Sequence, residues 1–169
     1  FPECSSATVD YEEAAYMSTQ FLMARGHKHI GMLQGFPRFQ PGIERRDGYI
    51  RALDEAGLPL QENYIRPVHF DAAHIASMVH RILDNRDVTA LIDCSGSENA
   101  EAVREGARRA GRIPGQDLEV LEWTYANDAT AMPEACGHVW LPVREAAAEG
   151  LEYMVKWIDQ QFEGPINIL

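Results

Sequence analysis

Apolar positions along this 169-residue chain change period repeatedly, and each change predicts a new element. Ala14, Met17, Phe21 and Ala24 recur at helical intervals, and Gly26 stands where a helix is expected to stop. Asp10 and Glu13 have capping-box spacing, which places the helix start near Asp10. The run His29–Leu33 follows at once and reads as a short buried strand. A helix over Ile43–Ala56 comes next, with Tyr49, Ile50 and Leu53 on one side and Gly57 as its stop. Tyr64–Phe70 is strand-like, and Pro67 suggests an edge strand or a strand end. Asp71 can cap a helix whose Ile75, Met78, Val79, Ile82 and Leu83 follow the amphipathic pattern.

The second half repeats the alternation. Val88–Cys94 is a nearly continuous apolar run, as expected of a strand covered on both faces. A helix from Ser97 to about Ala110, a strand over Leu118–Trp123 and an extended piece over His138–Leu141 follow. The last helix spans roughly Val143–Gln161, with Ala147, Leu151, Met154, Val155 and Ile158 on one face. Strands alternating with helices predict βαβ units and a parallel sheet. The longest stretch without periodicity, Thr124–Gly137, lies after a strand, at the end of the sheet where open α/β folds place ligands.

Composition narrows the function. Apolar residues make up 46% and charged residues 24%, typical of a soluble globular domain. The formal net charge of −11 argues against direct binding to nucleic acid or an anionic membrane. No apolar run is long enough to cross a bilayer, and the first residues lack the pattern of a signal peptide. Cys4, Cys94 and Cys136 are three, irregularly spaced and without a zinc pattern, which reads as reduced thiols. The six histidines form no metal-ligand spacing.

Three candidate chemistries remain. The glycines of "MLQGFPRFQPG" fit neither a dinucleotide nor a phosphate-loop pattern. "LIDCSGSENAEAV" puts Cys94, Ser95 and Ser97 on a strand–turn–helix, the place of a nucleophile elbow, but the G-x-S-x-G pattern is missing. The plainer reading makes Ser97 a helix cap and Cys94 a small buried hydrophobe. "PGIERRDGYIRALDEAGL" is more informative, because it puts Arg45 and Arg46 in the first turn of a helix. Cations gain nothing from the dipole there. A surface salt bridge to Glu44, Asp47 or Asp54 accounts for Arg46, whereas Arg45 is free to contact an oxygen-rich ligand.

The segments "DYEEAAYMSTQFLMARGHKHIGMLQG", "ERRDGYIRALDEAGLPL" and "TALIDC…AEAVREGARRAGRIPGQDLEVLEW" together resemble the effector-binding domain of LacI/GalR-type transcription regulators. The resemblance runs over nearly the whole chain. It implies a parallel-sheet α/β fold of the periplasmic-binding-protein type (type I), in which two subdomains clamp a small molecule. Residues 1–28 would hold the last helix of the N-terminal subdomain. Residues 29–141 would form the C-terminal, effector-binding subdomain, and residues 142–169 a helix returning to the first. The "GHKHIG" stretch would be the crossover between lobes.

Carried onto this chain, the resemblance assigns Arg45 to effector oxygens and Phe70 to stacking on the ligand, with the loop Phe36–Gln40, Phe36 and Arg38 included, bordering the cleft. Ser95 and Thr124 stand at positions that commonly bind ligand, here with uncharged groups. The implied protein is non-enzymatic, cofactor-free, cytoplasmic and homodimeric. It senses a sugar or related metabolite, touches operator DNA only through a headpiece outside this chain, and meets no membrane. A periplasmic solute-binding protein of a sugar transporter is the alternative. A third reading is an enzyme with Cys94 or Ser95 as nucleophile.

Overall fold

The computed structural model describes residues 6–69, 71–125, 131–159 and 167–168. Five strands form one parallel sheet: β2 (Ile30–Gly35), β3 (Ile65–Pro67), β4 (Ala90–Asp93), β5 (Glu119–Thr124) and β6 (Gly137–Trp140). Their spatial order is β3-β2-β4-β5-β6. Ile30 pairs with Ala90, Leu91 with Val120, and Trp123 with Val139. The central strands β2 and β4 are buried along their whole length, which is why their sequences are mostly apolar instead of alternating, with Gln34 and Asp93 as the polar exceptions at their carboxyl ends. Strand β3 is an edge, as Pro67 suggests, because a proline cannot donate to a second neighbour. Phe70, in the predicted extension of β3, lies outside the described residues.

Helices cover both faces. On one side, α3 (Ala72–Leu83) and α4 (Ala100–Arg109) bury Ile75, Val79, Ile82, Val103 and Ala107 against Leu33, Leu91 and Val120. Asp71 caps α3 as expected, its Oδ1 accepting from the His74 amide at 2.7 Å. Ser97 does not cap α4: a short 3₁₀ turn, Ser97–Asn99, precedes the helix, and the Ser97 hydroxyl meets that of Thr124 instead. On the opposite side lie α1 (Tyr11–Ala24) and α2 (Gln40–Glu55). The indole N–H of Trp123 donates to Ser18 Oγ on α1, and the Tyr49 hydroxyl of α2 donates to the Ile30 carbonyl.

The α1–α2 contact corrects the expected face of α1. Met17 and Phe21 are exposed, and the buried stripe is Ala15, Ser18, Thr19 and Leu22. Small residues win there because the helices approach closely. A side chain at Gly48 of α2 would begin 2.0 Å from the Glu12 carbonyl oxygen of α1. Ser18 and Thr19 return their hydroxyls to the carbonyls of Ala14 and Ala15, so no buried donor is left open.

The chain divides into two units. Tyr11–Trp140 is the sheet-bearing one; Phe1–Asp10 and Leu141–Leu169 form the other. Helix α1 falls within the sheet-bearing unit, its small-residue stripe matched to α2. The division at the front falls at Asp10–Tyr11, ahead of the "GHKHIG" stretch, which is the α1–β2 turn within one unit. In the smaller unit, β1 (Ser6–Ala7) pairs in parallel with β7 (Asn167–Ile168). Helix α5 (Val143–Ile158) lies beside β1, with Leu151, Met154, Val155 and Ile158 exposed.

Candidate functional site

The carboxyl ends of β2, β3, β4 and β5 open into a cavity of about 420 Å³ in the sheet-bearing unit. Gly35 closes β2 at its rim, His69 follows β3, Cys94 and Ser95 follow β4, and Tyr125 follows β5. The turn into α2 supplies Phe36 and Phe39, and α1 supplies Tyr11. Phe36 meets the Phe39 ring edge-on at 5.7 Å and stands 5.2 Å from His69. The wall is therefore mostly aromatic, with a few polar groups converging on it.

Arg45 is the cation of this wall. Helix α2 begins at Gln40, three residues earlier than its periodicity indicates, because Pro41 fits the first helical turn, where an amide hydrogen is not needed. Arg45 thus sits in the second turn, not the first. It is only 7% exposed. Its Nη2 donates to the Tyr125 hydroxyl at 2.7 Å and its Nη1 to the Gln34 carbonyl at 3.3 Å. The guanidinium lies 4.8 Å from the Tyr11 ring centre and 5.2 Å from that of Trp123. Nε is buried without a hydrogen-bond partner. Arg46, its neighbour, turns to the surface and pairs with Glu62 at 2.6 Å, not with the nearer acids on its own helix.

The backbone is shaped to this guanidinium. Gly35 has φ +81°, and a Cβ there would begin 2.5 Å from Arg45 Nη1. Tyr125 continues the chain of hydrogen bonds, donating to the Cys94 carbonyl at 3.3 Å. Burial raises the Tyr125 hydroxyl well above the usual phenol range, so it stays a neutral donor. Burial also pushes the Cys94 thiol up to about 12, the opposite of an activated nucleophile.

Of the residues expected from sequence, Arg45, Phe36 and Ser95 come together on the cavity wall. Thr124 does not: it ends β5 on the other face of the sheet, 7% exposed, with its hydroxyl 3.3 Å from that of Ser97. The alternation of side chains along a strand decides this, since Trp123 takes the cavity-side face. Arg38 is exposed on the turn and forms no part of the wall. Phe39 comes from the loop expected to border the cleft, whereas Tyr11, His69, Glu98 and Tyr125 line the cavity without having been singled out. Tyr125 was within reach of the rule that ligands gather after parallel strands; Tyr11 was not, because its place depends on how α1 packs. No group of three metal-ligating side chains occurs among the described residues.

An aromatic cavity with a buried guanidinium, set at the carboxyl ends of an open parallel sheet, is the arrangement of a small-molecule-binding α/β domain. The chain belongs to the periplasmic binding protein-like domain family, whose model matches residues 19–167. It is similar to catabolite control protein A of Priestia megaterium, at 27% identity over 157 residues, covering 92% of this chain and 47% of that protein. It is similar to the HTH-type transcriptional repressor PurR of Yersinia pestis at 26% identity, covering 92% and 46%. The chain thus spans about half the length of the curated relatives it matches. Among solved structures, a transcriptional regulator CelR–cellobiose complex superposes with a TM-score of 0.86 at 23% identity, over 98% of this chain and 51% of that one. CcpA of Lactococcus lactis gives 0.79 at 23% identity, over 95% and 59%. The resemblance to LacI/GalR-type regulators read from the sequence therefore holds, and the relatives named are regulators of transcription.

Proposed function

We propose that this chain is the effector-binding part of a LacI-type transcription regulator. In this reading the sheet-bearing unit, Tyr11–Trp140, is the effector-binding subdomain, and the smaller unit belongs to the other subdomain. A small molecule occupies the cavity beside Arg45 and shifts operator affinity by binding one conformation of the regulator better than another. The whole protein is a cytoplasmic homodimer that contacts DNA through a separate headpiece. The observation that carries the reading is Arg45: a fully charged group, nearly buried, whose Nε has no partner and whose guanidinium faces the cavity. Guanidinium donors fit ligand oxygens, and the surrounding rings fit the flat faces of a sugar or nucleobase. A saccharide is the first class to test, since one structural relative is a complex with cellobiose.

The experiment is titration calorimetry of the protein against a panel of mono- and disaccharides and nucleobases, followed by Arg45→Ala and Arg46→Ala. Arg45→Ala is expected to weaken the binding found by ~1.5–3 kcal/mol, the range for a hydrogen bond to a charged group. Arg46→Ala, with its exposed pair to Glu62, is expected to leave it within ~0.5 kcal/mol. Equal small effects would remove Arg45 from the site.

A further inference from the structure

Ser95 lines the cavity and is held from behind by an acid that does not. Both its amide and its hydroxyl donate to Asp93 Oδ1, at 2.9 and 2.6 Å. Asp93 itself is wholly buried and its second oxygen, Oδ2, has no partner. On the adjacent strand, in direct register with Asp93, stands Glu122, also wholly buried. Glu122 Oε2 accepts from the Met132 amide at 2.9 Å and is hydrogen-bonded to His138 Nδ1 at 3.1 Å. Its Oε1 is bare. Two carboxyl groups on register partners of neighbouring parallel strands share one face of the sheet, with their backbones about 4.8 Å apart. Each has one oxygen saturated with donors and one with none.

Two buried carboxylates at that spacing repel each other and leave two acceptors unsatisfied, a costly arrangement. One proton answers both problems. Placed on Asp93 Oδ2, it removes one of the two charges, makes that oxygen a donor, and leaves Oδ1 free to accept from Ser95. The groups that act on Asp93 agree with this. Burial, the largest influence, and the charges of Glu122 and Glu98 all raise its proton affinity, against the Ser95 hydrogen bonds, and the net effect brings it up to about 6. On the helices covering this face, the Arg104 guanidinium of α4 is taken up by Glu134 and Glu101, and His80 of α3 by Asp84. His138 reaches the pair only through Glu122.

We infer that Asp93 and Glu122 hold a single shared proton in the folded protein, and that this pair is a positioning element of the cavity, tying the orientation of Ser95 to pH from behind the wall. While Asp93 Oδ1 accepts the Ser95 hydroxyl hydrogen, the lone pairs of Ser95 Oγ are left for the cavity, so Ser95 serves a ligand as an acceptor. Loss of the proton sets two buried negative charges side by side, and the strand end that carries Ser95 must adjust. The role given to Ser95 rests on the function proposed above; the shared proton does not.

The test needs no ligand, so its failure is distinct from a failure to find one. Protein labelled with ¹³C at the Asp and Glu side-chain carboxyl carbons is titrated by NMR, and the Ser95 amide is followed in the same samples. One Asp carboxyl is expected to remain protonated well above about pH 5, where ordinary carboxyl groups are already ionised. The Ser95 amide resonance is expected to move with the same midpoint. Glu122→Gln, whose amide can donate to Asp93 Oδ2, is expected to lower that midpoint by at least about one pH unit and to carry the Ser95 transition with it. If every Asp and Glu carboxyl is ionised by about pH 5, the shared proton is refuted on the unmutated protein alone. A raised Asp midpoint with a Ser95 amide that ignores it, or a midpoint that Glu122→Gln leaves in place, overturns the coupling.

Discussion

Gly35→Ala tests whether the cavity depends on the fit between the end of β2 and Arg45. Two costs are readable from the geometry. Gly35 lies at φ +81°, and an alanine held there pays ~1–2 kcal/mol. Its methyl group would also start 2.5 Å from Arg45 Nη1, which lies buried beside the rings of Tyr11 and Trp123. Moving that nitrogen breaks its bond to the Gln34 carbonyl. At 3.3 Å this is a long bond, so the low end of the range for a charged donor applies, ~1.5 kcal/mol. Replacing glycine restricts the unfolded chain and returns ~0.4–1 kcal/mol. The net expectation is a loss of ~1.5–3 kcal/mol, measured by urea unfolding followed by circular dichroism. The decisive arm is a double-mutant cycle with Arg45→Ala. Without the guanidinium the methyl group has room, and Gly35→Ala should then cost only the backbone strain, near ~1 kcal/mol after the unfolded-state gain. Costs that add without coupling, or a loss below ~0.5 kcal/mol in the Gly35→Ala protein, refute the argument.

Further outcomes are expected elsewhere. Gly48→Ala places a methyl group 2.0 Å from the Glu12 backbone oxygen and must separate α1 from α2; a loss of more than ~3 kcal/mol in urea unfolding is expected, whereas Ile43→Ala on the exposed side of α2 should change stability by less than ~1 kcal/mol. Cys94, its thiol pushed up to about 12 by burial, should escape iodoacetamide in the native protein at neutral pH and react once unfolded, read by peptide mass mapping; fast native labelling would revive the nucleophile reading. Burial raises Asp93 in the fold from 3.8 to about 6, so the folded state holds the proton longer than the unfolded one. The stability this contributes is fully present below about pH 4 and is lost as pH rises towards 6. The loss is on the order of 3 kcal/mol, and Asp93→Asn should abolish that part of the pH dependence of urea unfolding.

The βαβ alternation was legible in the chain because its cause is local. A strand buried on both faces is mostly apolar, as β2 and β4 are apart from Gln34 and Asp93 at their carboxyl ends, and a helix with one buried face must repeat at helical spacing, as α3 does. The parallel sheet followed from that alternation. That Arg45 differs from its neighbour Arg46 was legible as well, since it is a cation without a local reason to be where it is, and the fold sets it on the cavity wall. The face of α1 was not. Its large apolar residues Met17 and Phe21 point outward, and its buried stripe is chosen by the close approach of Gly48, which is distant in sequence. That packing also decided that α1 sits with the sheet and brings Tyr11 to the cavity. Strand parity sent Thr124 to the far face and left Trp123 beside Arg45. The pairing of Asp93 with Glu122 likewise depends on register, since two acids far apart in sequence become neighbours only when β4 and β5 align. Periodicity records which residues are buried; the depth of approach and the register of pairing, which belong to the assembled layers, decide what each buried residue meets.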